Sequence, residues 1–303
     1  WAPGSRLISN WWGHKERGKA FGFYVFAAGM SSVIAFTTSL IVLDVFQLGW
    51  RWIFRLPVLL MLVGGVIYFF IARNRPEELG FKPIKENSFS EEIPDNIESV
   101  MSENNLTYLK RYLIVFNNWR FMVASLAIGF QNTARYGLLI WVPAYFLGSS
   151  WKGEEGTKWI SIALPVGMAI GAMSSGWISD VLFKSKRSPV IIICMLMAAV
   201  FAVLMYVVPR ESWVLGIIIL FFAGFFVYGA QSTFWALSPD LLGGKCTSTG
   251  IGVMNFFAYL LAGLGEPLIG YMIETNNYEY GLVFPIVGLS CLISAILGLF
   301  IRR

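Results

Sequence analysis

Histidine is nearly missing from this chain: His14 is the single one among 303 residues. That leaves no basis for a histidine-built metal centre or a Ser-His-Asp triad within it. Cysteine is scarce as well. Cys194, Cys246 and Cys291 are odd in number, far apart and set in apolar stretches, so neither a disulfide framework nor a CxxC site is readable. Charged residues make up 14% of the chain and hydrophobic ones 56%, where an ordinary soluble domain carries about 25% charge. These shortages exclude a soluble globular domain, a disordered chain and a disulfide scaffold. No phosphate-cradling G-x-x-x-x-G-K-[ST] loop occurs, so energy for any work done must come from gradients or a partner subunit.

What the chain has in quantity is long apolar sequence. Residues 20–43, 159–179, 188–209, 212–239, 246–265 and 280–301 carry no charge; 56–72 is shorter but rich in Leu, Val and Phe; and 121–151 holds one charge, Arg135. A helix crosses the hydrocarbon core with about 20 apolar residues. Eight complete spans are therefore expected, too long and too rich in Gly and Ala for barrel strands of about 9–11 residues. The fold class is an all-α membrane protein. Trp50, Trp52, Trp151 and Trp213 fall at span ends, as an interfacial belt requires. Gly167 and Gly171 form a GxxxG pair, read as close helix packing. The chain begins without Met, and Trp1–Trp12 is half a span. A free ammonium inside a bilayer is costly, so the chain reads as a piece of a longer protein that lacks its first spans.

Basic residues orient the spans. With the 13–19 loop cytoplasmic, sixteen of the 23 Lys and Arg fall on the cytoplasmic side and five outside, while Arg6 and Arg135 lie within spans. This asymmetry accounts for the net charge of +5 without nucleic acid. Residues 74–118 are polar, with eight acidic residues between Glu77 and Glu103 and prolines at 76, 83 and 94. They read as a solvated cytoplasmic linker rather than an acidic docking site. The expected organisation is 1–73 as the end of a first helix bundle, 74–118 as linker and 119–303 as a second, six-helix bundle. A shift of 228 residues puts Gly22 on Gly250 and Pro57 on Pro285, a weak parallel repeat of the kind related by an axis normal to the membrane.

Four stretches carry a resemblance. Gly176-Trp-Ile-Ser-Asp180-Val-Leu-Phe-Lys-Ser-Lys-Arg187 resembles the G-x-x-x-D…R loop signature of the major facilitator superfamily. Its physical content is a carboxylate at a helix end facing a basic loop, a pair that can lock one conformation and break in another. Trp1-Ala-Pro-Gly-Ser-Arg6 through Trp12, followed by Lys15-Glu16-Arg17-Gly18, is similar to the fourth span and following loop of the organophosphate:phosphate antiporters. Ala134-Arg135-Tyr136-Gly137 through Trp141 resembles their seventh span, and Arg75-Pro76-Glu-Glu-Leu-Gly80 the segment after their sixth. The resemblance implies a major facilitator fold of pseudo-symmetric helix bundles, with about eight and a half of twelve transmembrane helices in this chain. It implies a multi-pass protein of the cell membrane, the inner membrane in a bacterium. The implied activity is secondary transport of a small organic anion, a phosphate ester exchanged for inorganic phosphate, by a monomer with no cofactor and no enzymatic step. A sugar-phosphate sensor and a proton-coupled carboxylate transporter of the same superfamily are the alternatives.

Arg135 carries most of the site reading. An arginine at mid-span costs at least about 2.5–3.5 kcal/mol on insertion scales, and its planar fork matches phosphate oxygens. The alternative role is an ion pair with Glu266. Asn132, three residues earlier, shares its helical face, and Tyr136, Tyr228 and Gln231 complete the candidate substrate contacts. Glu266 is open to three readings: a proton-coupling group, a charge partner for Arg135, or a residue beyond a span that ends near Gly265. Gly176, Asp180 and Arg187 form the expected loop lock; Arg6, Lys15 and Arg17 match the family as structural residues. Family members often carry a histidine where this chain has Ala28, and an aspartate where it has Ile140. No metal ligands are expected.

Overall fold

The computed structural model describes residues 1–82, 108–147, 155–209 and 212–301. Most of the acidic linker, Trp151, the Trp213 side chain and the charges at Lys152, Lys158, Arg210, Lys245, Arg302 and Arg303 lie outside the described residues. Helices α1 (Ala2–Trp11), α2 (His14–Leu40) and α3 (Arg51–Ile71) come first, with the wide turn Ile41–Val45 extending α2. After the linker come α4 (Tyr108–Asn117), α5 (Trp119–Leu147), α6 (Glu155–Val181) and α7 (Arg187–Val207). A continuous stretch, Trp213–Thr275, contains two spans, α8 (Val214–Gly243) and α9 (Cys246–Thr275), and α10 (Val283–Phe300) ends the described fold. Seven of these helices are long and apolar enough to cross a membrane, and α4 with α5, bent by 81°, makes an eighth.

Three boundaries differ from the sequence expectation. The last part of the 74–118 segment is helical: Tyr-Leu-Lys-Arg-Tyr-Leu-Ile-Val-Phe is amphipathic, and α4 buries Val115 while Lys110 and Leu109 stay exposed. The break expected between the charge-free runs 212–239 and 246–265 shrinks to one non-helical residue, Gly243, whose φ of 69° turns the chain at no steric cost. The span at 246–265 does not stop near Gly265. It continues to Thr275 despite Pro267, so Glu266 sits inside the helix and not at the outer interface.

Side-chain bonds gather the loop ends on one side of the bundle. Trp11 Nε1 donates to the Arg73 carbonyl at 2.9 Å, Asn118 Nδ2 to Leu241 at 3.4 Å, and Ser188 Oγ to Gly298 at 2.6 Å. This is the side that the basic residues mark as cytoplasmic. The core runs through α5 to α10, with Phe121, Ile128, Ile191, Phe234, Trp235 and Phe284 at most 1% exposed. Helix α3 buries no residue at all. Trp50 and Trp52 are exposed, with the guanidiniums of Arg51 and Arg55 over their rings.

Gly167 and Gly171 put α6 directly on α8. A Cβ on either would collide with a main-chain carbonyl, of Phe221 or Phe225 respectively. Backbone cannot yield as a flexible side chain can. Gly171→Ala is therefore expected to cost roughly 1–3 kcal/mol by overpacking, read as a lower thermal unfolding midpoint in detergent. Gly65→Ala, facing open space on α3, is the control expected to leave the midpoint unchanged or slightly raised.

Candidate functional site: an arginine at mid-membrane and a charge cluster at the cytoplasmic end

The cytoplasmic cluster is assembled from four helix ends. Helix α6 ends at Val181, and a turn with Lys184 and Ser185 in left-handed conformations (φ 50° and 63°) folds the chain back so that Arg187 opens α7 beside Asp180. The Arg187 Nη1 donates to Asp180 Oδ1 and to Ser179 Oγ, Nε to Asp240 Oδ2 at 3.0 Å, and Nη2 to the His14 carbonyl at 3.2 Å. Asp180 also accepts from the Lys19 backbone N–H at 2.7 Å and from Ser185 Oγ at 3.3 Å. Asp240, near the end of α8, accepts from Arg17 Nη1 at 3.0 Å and contacts His14 Nδ1 at 2.9 Å through the same oxygen. Arg17 and Arg187 are 1% and 4% exposed. Helices α2 and α6 approach closely enough for this because Gly18 and Gly176 face each other; a Cβ on Gly176 would strike the Gly18 carbonyl.

The structure thus joins Gly176, Asp180 and Arg187, and adds Asp240 and His14, which the sequence reading left out. Asp240 had a signal: it is the one acid within the 213–243 stretch, set at its cytoplasmic end. Of the family-matching residues, Arg17 enters the cluster, whereas Arg6 and Lys15 point to the surface.

The second constellation lies about midway along α5. Arg135 is sixteen residues into that helix and twelve from its outer end, about 18 Å at 1.5 Å per residue. Its guanidinium carbon stands 4.7 Å from the Tyr136 ring centre and 4.6 Å from that of Tyr228. Both tyrosines therefore stabilise the cation by their ring faces. In the guanidinium plane the only hydrogen bond among the described residues is a long one, Nη1 to Asn132 Oδ1 at 3.5 Å, and Nε is buried without a partner among them. Asn132 is held in turn by Gln131 Oε1 and the Ile128 carbonyl, and Gln131 Nε2 reaches the Val227 carbonyl and Gln231 Oε1. All five predicted contacts, Asn132, Arg135, Tyr136, Tyr228 and Gln231, stand together. Gln131 and Tyr259, whose ring is 6.1 Å from that of Tyr136, were missed. Gln131 precedes Arg135 by one helical turn, a spacing that could have marked it.

Arg135 and Glu266 do not pair. Glu266 Oε2 accepts from Trp141 Nε1 at 3.0 Å, and its Oε1 is buried without a partner among the described residues. Ala28 and Ile140, where the family often has a histidine and an aspartate, supply no charge here. A groove of about 620 Å³ between α1 and α2, lined by Leu7, Ile8, Trp12, Lys19, Phe23 and Tyr24 among others, shares no residue with the Arg135 constellation and touches the cytoplasmic cluster only at Lys19.

The model of the Major Facilitator Superfamily matches residues 1–266. The glycerol-3-phosphate transporter of Bacillus subtilis (strain 168) is 25% identical over 301 residues, covering 98% of this chain and 66% of that protein. Sugar phosphate exchanger 3 of Mus musculus is 27% identical over 325 residues, covering 98% of this chain and 64% of its own. A probable hexose phosphate transport protein of Chlamydia pneumoniae is 24% identical over 285 residues, covering 89% and 60%. The chain thus spans a little under two thirds of the length of these relatives.

Proposed function

The chain belongs to the Major Facilitator Superfamily, and from that membership we propose that the protein is a secondary transporter exchanging a small phosphate ester for inorganic phosphate. The observation that carries the reading is Arg135: a half-buried mid-span cation with no carboxylate partner among the described residues and a buried, unused Nε–H. Its ring-plane edge is the part that binds oxyanions in paired, charge-assisted hydrogen bonds. Tyr136 and Tyr228 occupy the faces and leave that edge free. The relatives named above carry glycerol-3-phosphate, sugar phosphate and hexose phosphate in their names, and all three are phosphate monoesters.

The cytoplasmic cluster gives the cycle its second part. Ionic and hydrogen bonds tie α2 to α6, α7 and α8 at that end, so the midplane site is shut off from the cytoplasm in this conformation. Alternating access then requires those bonds to break while helix bundles rock about the anion site. The substrate is moved unchanged, and the reading assigns no catalytic residue.

The test is exchange in proteoliposomes made with the full-length protein and loaded with labelled inorganic phosphate. External glycerol 3-phosphate or glucose 6-phosphate is expected to speed efflux of the label several-fold. Efflux indifferent to either ester, together with undetectable ester uptake, overturns the assignment and leaves a sensor as the better description.

A further inference from the structure

We propose that Glu266, Trp141 and Tyr280 form a second subsite that takes an ammonium group, so that the protein selects phosphate monoesters bearing an amine. The inference rests on Arg135 as the phosphate contact. Glu266 lies nine residues from the outer end of α9, about 14 Å by helical rise, and so at nearly the depth of Arg135. Its Oε1 is buried with no hydrogen-bond partner, and no cation lies within ion-pair distance of it among the described residues. A carboxylate so placed in a membrane is costly until something positive or hydrogen-bond-donating meets it.

Tyr259, Gly263, Glu266 and Gly270 share one stripe of α9. Tyr259 stands beside Tyr136, whose own ring lies under Arg135. A Cβ added at Gly263 would meet nothing within 4 Å, so the stripe borders open space. The lipid-type residues Leu260, Leu264 and Leu268, all exposed, occupy the neighbouring stripe. Glu266 Oε1 is 3.9 Å from where a Cβ on Gly137 would sit, two residues after Arg135. Residues 135 and 137 project about 200° apart around α5, so the two opposite charges approach that helix at similar depth from different sides without neutralising each other.

The aromatic surroundings narrow the ligand. Trp141 donates its indole N–H to Glu266, and the Tyr280 ring lies 6.3 Å from it, tilted by 35°. A carboxylate with one oxygen unpaired, beside an indole that the Tyr280 ring backs, recognises an ammonium through charge-assisted hydrogen bonding. Charge balance agrees. Arg135 and Glu266 together present no net charge, a poor match for a plain phosphate dianion. An amino ester matches each group separately, phosphate to guanidinium and ammonium to carboxylate.

The experiment is competition against labelled inorganic phosphate exchange by the full-length protein in proteoliposomes. Two matched pairs are compared: glucosamine 6-phosphate with glucose 6-phosphate, and 2-aminoethyl phosphate with 2-hydroxyethyl phosphate. At a pH where the amines are protonated, at least one amino ester is expected to inhibit at about tenfold lower concentration than its hydroxyl partner, the ratio for one charge-assisted hydrogen bond. Glu266→Gln is expected to bring that ratio to about one, and Glu266→Asp, which keeps the charge, to retain part of it. Trp141→Phe, which removes the indole donor, is expected to lower it. Equal competition within both pairs overturns the ammonium subsite alone. So does a preference that survives Glu266→Gln, or a Glu266→Gln protein that loses only the dependence of exchange on pH, the mark of a proton carrier. Failure of every ester to compete overturns the phosphate reading of Arg135, and this inference with it.

Discussion

Asp240→Asn is expected to open the cytoplasmic end of the molecule. Asp240 accepts from Arg17 and Arg187 through separate oxygens, and both arginines are nearly devoid of solvent. Replacing the carboxylate removes the counter-charge that Arg17 and Arg187 share, while Asp180 stays with Arg187. Removing one partner of a buried ion pair costs about 3–5 kcal/mol, because the other charge stays desolvated and unpaired. Here that cost falls on the closed conformation alone, since opening the end returns both arginines to water. The native cysteines report it. Cys246 lies at the start of α9 near the cluster and Cys291 well inside α10, and both are fully buried. A membrane-impermeant maleimide applied from the cytoplasmic side is expected to label Cys246 much faster in Asp240→Asn than in the parent, with Cys291 unchanged. Adding Arg17→Gln is expected to restore part of the protection, since it removes one of the two charges that Asp240 had offset. Unaltered labelling of Cys246 would show that the cluster does not hold this end shut, and labelling of both cysteines would show general unfolding.

The two constellations were not equally legible in the sequence. The spans were readable because a bilayer demands about 20 apolar residues and excludes charge, a one-dimensional constraint. Arg135 and Glu266 stood out for the same reason, as charges where none should be. Asp180 and Arg187 were readable because seven residues and one turn connect them. Asp240 was not, because what gives it meaning is contact with Arg17 and Arg187, 223 and 53 residues away. Such pairings are fixed by how helices pack, and no local pattern records them. The same holds for Glu266: the sequence offered Arg135 as its partner by charge alone, whereas packing set Trp141 against it. Linker position 108–117 failed for a different reason. Its composition is mixed enough to pass as solvated chain, and only the apolar face that buries Val115 makes it a helix.

Arg135→Gln is expected to abolish binding of phosphate esters while leaving the fold nearly intact. A neutral amide lacks the charge that stabilises a phosphate dianion in a low-dielectric cavity, so affinity is expected to fall on the order of a hundredfold or more, the equivalent of two charge-assisted hydrogen bonds. Arg135→Lys keeps the charge but loses the planar fork and the flat stacking on Tyr136 and Tyr228, so it is expected to bind, more weakly than the parent. Stability separates this role from a structural one. Were Arg135 the partner of Glu266, Arg135→Gln would strand a buried acid and lower the unfolding temperature sharply, and a second change, Glu266→Gln, would restore it. The two groups are not paired, and Glu266 is held by Trp141 instead. The single variant is therefore expected to lose only the ring contacts, about 0.5–2 kcal/mol, and Glu266→Gln is expected to give no rescue. Thermal unfolding of the full-length protein, with and without glycerol 3-phosphate, measures both quantities at once: the parent gains stability from the ester and Arg135→Gln does not. An ester-dependent rise of the same size in Arg135→Gln would remove Arg135 from the binding site.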